Sequence, residues 1–325
     1  MKRLIALVVV ILMVSIMLAG CRGQENNNDK GTQNAPQVAT NSSQTKELLG
    51  ETRSAVVVYY QDSSGKYLLP VTMPIEPTDR AANVALEKLL SGPETEQVKP
   101  VIPKGTKLRE LYLKDNIAFV SLTQEFLSVG STNEVNKAVK AVVLTLTEFP
   151  MVETVQILVD GQVVKDLHGV NLDKALTRPG AVNGPEYKDA VTVYYGNYNA
   201  SLLVPYSAPI RDDDPIKSAL EALLAGPPAE VKEELIPTIW PGTKIRDIRV
   251  NGKTLIVDLS QEVIGYGGGS ASENMLVDSL VATMIQFEEI NEVQLLIEGK
   301  AVSTLPEGTD VSAPLKRPIN PIFTP

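Results

Sequence analysis

From residue 82 to residue 90, apolar side chains fall at Ala82, Ala85, Leu86, Leu89 and Leu90. This is the i, i+3, i+4, i+7, i+8 spacing of a helix with one buried face. The stripe returns at Ile216, Ala219, Leu220, Leu223 and Leu224. Both helices close on Gly-Pro, at Gly92-Pro93 and Gly226-Pro227, and the second opens with Asp214 as N-cap and Pro215 at its first position. Two apolar runs follow each helix: Leu108 to Leu113 and Ile117 to Leu122, then Ile245 to Val250 and Thr254 to Leu259. They read as strands, and Asn251-Gly252 between the last two is a hairpin signal. A second helical stripe carries Val139, Val142, Val143 and Leu146, matched by Val277, Leu280, Val281 and Met284. Strands Thr154 to Val159 and Glu292 to Ile297 come next, turned by Asp160-Gly161 and Glu298-Gly299 into a short last strand. Val56 to Tyr60 and Lys66 to Val71 form an opening β-region with counterparts further on.

The elements recur because the chain contains one domain twice. Val56-Val57-Val58-Tyr59-Tyr60 returns as Val191-Thr192-Val193-Tyr194-Tyr195, Gly105-Thr106-Lys107 as Gly242-Thr243-Lys244, and Val155-Gln156-Ile157-Leu158 as Val293-Gln294-Leu295-Leu296. The blocks keep their order while the offset drifts only from 134 to 138 residues. The expected fold class is α+β: two tandem homologous two-layer domains, each a β-sheet packed with two one-faced helices. The domains span 54–172 and 188–313, with a Pro/Gly/Asn-rich linker at 173–187 and a proline-rich tail at 314–325 that is not regular structure.

The N-terminus is of another kind. Lys2-Arg3 precede an apolar run from Leu4 to Ala19, about 16 residues, short of the roughly 20 that an α-helix needs to cross a bilayer. Closed by Leu18-Ala19-Gly20-Cys21, it reads as an export signal over 1–20. Leu-Ala-Gly-Cys is similar to a bacterial lipobox, which implies cleavage before Cys21, its lipidation, and a lipoprotein held to the membrane by an acyl chain such as palmitate. Residues 21–53 are rich in Gln, Asn, Ser, Thr and Gly with few large apolar side chains, the composition of a disordered tether.

Composition narrows the chemistry. Cys21 is the single cysteine, so no intramolecular disulfide forms and no thiol nucleophile is left. Without Lys2 and Arg3 the net charge falls from -9 to about -11, which argues against nucleic acid as a partner. The one histidine, His168, has no counterpart in the second copy, and a two-histidine or Cys/His metal site is ruled out on count. No paired acids stand out, so neither a catalytic site, a cofactor nor a metal is expected. Gly265 to Ser270 invites comparison with a phosphate loop. It lacks the lysine, departs from the dinucleotide pattern at its third glycine, and matches a stretch of copy one with a single glycine. It reads as a mobile lead-in to a helix capped by Ser270 and Glu273, as Ser131 and Glu134 cap the helix of copy one. Candidate protein-interface residues are Tyr59 and Tyr194, one of each tyrosine pair facing away from the helices, together with Trp240 and Tyr266. The structural alternatives are a tyrosine covering the sheet edge and a tryptophan anchoring its loop.

Val-x-Val-Tyr-Tyr, Ala-Leu-x-x-Leu-Leu-x-Gly-Pro, Pro-(x)-Gly-Thr, Val-(Asp/Ser)-Leu-(Ser/Thr)-x-Glu, Thr145-Leu146-Thr147-Glu148-Phe149 and Val-Gln-x-Leu-x-(Asp/Glu)-Gly together resemble the sporulation and spore germination domain called GerMN. The resemblance covers nearly all of the chain beyond the tether. It implies a fold similar to ring-building domains of secretion systems and a non-enzymatic scaffold on the mother-cell membrane, facing the space around the forespore. Its implied partners are the membrane, through Cys21, and other sporulation envelope proteins, among them a ring-forming channel complex. Peptidoglycan is the partner in an alternative reading as a wall-binding or wall-processing lipoprotein. A solute-binding lipoprotein is a third reading, disfavoured because each copy looks complete in itself.

Overall fold

A computed structural model describes residues 52–211, 213–265 and 268–322. The export signal, Cys21 and all of the tether but its last two residues lie outside the described residues, as do Asp212, Tyr266 and Gly267. No described helix is long and apolar enough to cross a membrane.

Copy one opens with β1 (Arg53–Asp62) and β2 (Leu68–Thr78), an antiparallel hairpin, followed by α1 (Ala81–Ser91) and a short β3 (Val98–Lys99). Then come β4 (Leu108–Lys114), β5 (Ile117–Leu122), α2 (Thr132–Leu146), β6 (Thr154–Val159) and β7 (Gln162–Val163). The copy closes with β8 (Asp166–Leu167), β9 (Val170–Asn171) and β10 (Leu176–Thr177). Copy two repeats the frame as β11 (Ala190–Asn197), β12 (Leu203–Pro209), α3 (Pro215–Ala225), β13 (Leu235–Ile236), β14 (Ile245–Asn251), β15 (Thr254–Leu259), α4 (Gly269–Met284), β16 (Glu292–Ile297) and β17 (Lys300–Ala301).

The single sheet expected per copy is two. Strand order is β2-β1-β3 in one and β10-β6-β5-β4 in the other, repeated as β12-β11-β13 and β14-β15-β16-β17. Strands β5 and β6 pair in parallel across α2, as β15 and β16 do across α4, because the helix carries the chain back to the starting end of the sheet. The second helix of each copy is consequently not one-faced. Every residue from Ala141 to Leu146 and from Ser279 to Met284 is buried, since α2 and α4 touch strands of both sheets.

Local chemistry sets the ends. Asp214 accepts a hydrogen bond from the Lys217 amide at 2.9 Å, as its N-cap position predicts. Ser131 caps α2, accepting from the Glu134 amide and donating to its carboxylate. The matching box at Ser270 and Glu273 does not form: α4 starts from Gly268 at φ 92°, and Glu273 is buried, accepting from the amides of Glu307 and Thr309. The hairpin between β14 and β15 turns on Gly252 and Lys253, one residue later than expected, with Asn251 and Thr254 as its closing pair.

Candidate functional site

Several motifs shared by the copies are consumed in structure. The Thr106 and Thr243 hydroxyls donate to the carbonyls of Pro103 and Trp240, tightening each Gly-Thr-Lys turn. Thr123 Oγ1 and Ser260 Oγ accept from the amides of Lys107 and Lys244 at 3.0 and 2.9 Å, tying that turn to the end of β5 or β15. The same hydroxyls hold the carboxyls of Glu125 and Glu262 below the usual carboxylate range. His168 sits exposed in the tight turn between β8 and β9 at φ 51°, and its carbonyl accepts from Thr132. Among the described residues no group of His, Cys, Asp and Glu could hold a metal ion.

Neither Tyr59 nor Tyr194 is an exposed anchor, and Tyr194 lies against Ala282 of α4 rather than facing away from the helices. They are 2% and 8% exposed, because the segment that follows each copy folds back over them. The Tyr59 hydroxyl donates to Glu148 Oε1 at 2.9 Å and accepts from Arg178, whose guanidinium lies 5.8 Å from the ring centroid. Arg178 also donates to the Leu144 carbonyl in the last turn of α2 and to Thr147 and Glu148. Burial, reinforced by Glu148, pushes the Tyr59 hydroxyl well above its ordinary pKa, so it stays a donor. Tyr194 packs with Leu203, Ala282 and Ile319 of the tail.

The same two segments join the copies. Asn183, in the linker, accepts from the Leu68 amide at 2.9 Å and donates to the carbonyls of Leu68 and Pro205 at 2.6 and 2.7 Å. Asn320, in the tail, accepts from the Leu203 amide at 2.7 Å and donates to the carbonyls of Leu203 and Pro70 at 2.7 and 2.9 Å. Leu68 and Pro70 occupy in β2 the places of Leu203 and Pro205 in β12, so exchanging the copies carries one staple onto the other. The Ser207 amide donates to the Asn183 carbonyl, and the Thr72 amide to those of Ile319 and Asn320. The proline-rich tail thus grips both copies. Residues 68–71 and 203–207 are buried throughout, without the alternation of a half-exposed strand.

Trp240 is half-buried, and it explains the glycine stretch. Gly265 lies at φ 59° against the indole, where a Cβ would overlap the ring, and a Cβ on Gly268 would run into Ser272 and come within 3.6 Å of Trp240. Close approach, rather than mobility, requires those two glycines. In copy one Pro103 stands where Trp240 does, so the tryptophan and the glycines are one feature confined to copy two. Open hollows flank the indole. One of about 650 Å³ includes Gln261, Glu262 and Ile264; the other, about 310 Å³, includes Ile236, Ala271 and Met275. This environment makes Trp240 both a loop anchor and a partly accessible apolar surface. In the sequence the tryptophan and the glycines stand apart, and the signal that links them is that copy one has Pro103 at one place and a single glycine, Gly130, at the other. No local signal marks Asn183 or Asn320.

The family model for Germane, sporulation and spore germination, matches residues 57–165 and 192–303. The chain is 25% identical over 292 residues to the spore germination protein GerM of Bacillus subtilis (strain 168), covering 80% of this chain and 76% of that protein. The solved tandem GerMN domains of the sporulation protein GerM from Bacillus subtilis superpose with a TM-score of 0.65 at 22% identity, covering 81% of this chain and 96% of that structure. With both copies matched in order and most of the chain accounted for, this protein belongs to the Germane family of sporulation and spore germination proteins.

Proposed function

We propose that the protein is a non-enzymatic scaffold of sporulation, held to the membrane through lipidated Cys21 on the extracytoplasmic face. It helps to assemble or position the channel complex between mother cell and forespore. The observation that carries this reading is the pair of reciprocal asparagine staples, which fixes two homologous domains as one body, together with shared motifs spent on turns. A rigid double domain with copy-specific surfaces can present two different faces to neighbours at a fixed angle. The family membership and the likeness to GerM support a role in sporulation; the channel complex as partner is the finer step. The test is replacement of the chromosomal gene in a spore-forming host by a variant lacking Cys21 and by one carrying Trp240→Ala. Lower spore yield and loss of envelope proteins captured by crosslinking are expected for both. Unchanged spore yield on complete deletion would sink the reading.

One observation favours the wall-binding alternative. A cleft of about 390 Å³ between β12 and α3 is lined by Tyr187, Tyr195 and Tyr206 together with Arg211, Glu221 and Lys232, a mixture suited to stacking and hydrogen bonding with sugar rings. Copy one has Val71 in place of Tyr206. Sedimentation of the purified protein with peptidoglycan, lost in Tyr187→Ala, would favour this reading over the first.

A further inference from the structure

The copies differ at one sheet edge. Both β4 and β14 end their sheets, and no described strand pairs with their outer sides. In β4 the inward residues Leu111 and Leu113 are 6% and 1% exposed. At the equivalent places in β14, Ile248 is half-buried and Val250 is 45% exposed. Strand β14 is thus a seven-residue edge whose apolar face is left partly open in copy two.

Its backbone parity and charges specify what fits. Asn251 and Thr254 close a two-residue turn, so Arg249 directs its main-chain groups toward β15. Ile248 and Val250 direct theirs to the free edge. On the opposite face Asp247 and Arg249 sit side by side, with Arg249 Nη1 2.8 Å from Asp247 Oδ2. Charged edges ordinarily repel added strands. Here the signs alternate two residues apart, so antiparallel pairing of β14 with itself, centred on Ile248, sets each Asp247 opposite an Arg249. Registers centred on Asp247 or Arg249 place like charges face to face. We propose that β14 is a self-association surface whose partner is β14 of a second copy of this chain, related by a two-fold axis through Ile248. The two-fold makes the contact isologous and closed. This inference does not depend on the functional reading above.

The test uses the full chain carrying Cys21→Ser, in detergent solution, so that only introduced thiols react. Mixing D247C chains with R249C chains under mild oxidation should give a mixed disulfide dimer. Either variant alone should give far less, because neither position faces itself in this register. In sedimentation equilibrium, Arg249→Asp should weaken self-association about tenfold, and D247R/R249D should restore it, since the exchange preserves every cross-strand pair. Val250→Lys, at an exposed position that leaves the fold intact, should also weaken it. A parent chain that stays monomeric at about 0.1 mM overturns the proposal. So does mixed crosslinking no greater than that of D247C alone, or failure of the charge exchange to rescue.

Discussion

Asn320→Ala removes three hydrogen bonds at the junction of the copies, those with the Leu203 amide, the Leu203 carbonyl and the Pro70 carbonyl. The asparagine is 6% exposed, so water cannot readily replace the amide. At about 1 kcal/mol net per hydrogen bond, the loss should be about 3 kcal/mol. For a folded region of this size that corresponds to a fall in Tm of about 5 °C. Asn320→Asp should be worse than alanine, because a carboxylate cannot donate and would face two carbonyl oxygens. Urea unfolding followed by circular dichroism gives the free energies, and the exposed Asn136→Ala on α2 serves as a control that should cost nothing. The double variant N183A/N320A should cost less or more than the sum of the singles, since both residues close one interface. A loss below about 0.5 kcal/mol for Asn320→Ala, or an Asp variant as stable as the Ala variant, would refute the assignment of the staple.

Gly265→Ala should cost about 1–3 kcal/mol and shift the emission of Trp240, the sole tryptophan, because the added Cβ meets the indole at a positive φ; in the W240A background the same change should cost less, leaving only the strain of the positive φ. Ser260→Ala should lose about 1 kcal/mol in chemical denaturation by orphaning the Lys244 amide. Lys66 and then Tyr67 hold the Glu234 carboxyl below its ordinary pKa, linking the first copy to the second. A depressed carboxylate stabilises the fold above its unfolded pKa, and the contribution vanishes as pH falls through the folded value. The stability difference between parent and Glu234→Gln should therefore be present at neutral pH and shrink as the solution is acidified below the ordinary carboxylate range, read from thermal melts. Arg178→Lys should destabilise less than Arg178→Met, and a cycle with Glu148→Gln should show coupling, because lysine keeps the charge but not the fork that reaches Leu144, Thr147, Tyr59 and Glu148 at once.

The elements of each copy were legible in the sequence because their signals are local. Apolar spacing marked the helices, and strands β5, β6, β15 and β16 appear at the residues their alternation and boundaries indicate. Asp214 acted as the cap its place before Pro215 foretold. The duplication was legible because two copies of one domain keep their motifs in one order. Strand alternation also put Tyr59 and Tyr194 on the face opposite Tyr60 and Tyr195, whose hydroxyls donate to the Lys88 and Ala222 carbonyls in α1 and α3.

What covers those tyrosines did not follow, because the covering segments lie far along the chain and carry no periodic pattern. Thr72 meets Pro321 only after the whole of copy two has been threaded back onto copy one. Asn183 and Asn320 are unremarkable among many asparagines until three backbone groups converge on each, and that convergence exists only once β2 and β12 lie together. The division into two sheets, the all-round burial of the last turns of α2 and α4, and the closeness of Gly265 to Trp240 have the same origin. The sequence by itself determined which segments could be helix or strand and that the domain occurs twice, since those depend on neighbours a few residues apart. The tertiary structure alone decided which faces are covered and which edge stays open, because burial and hydrogen-bond satisfaction depend on partners brought together across the chain.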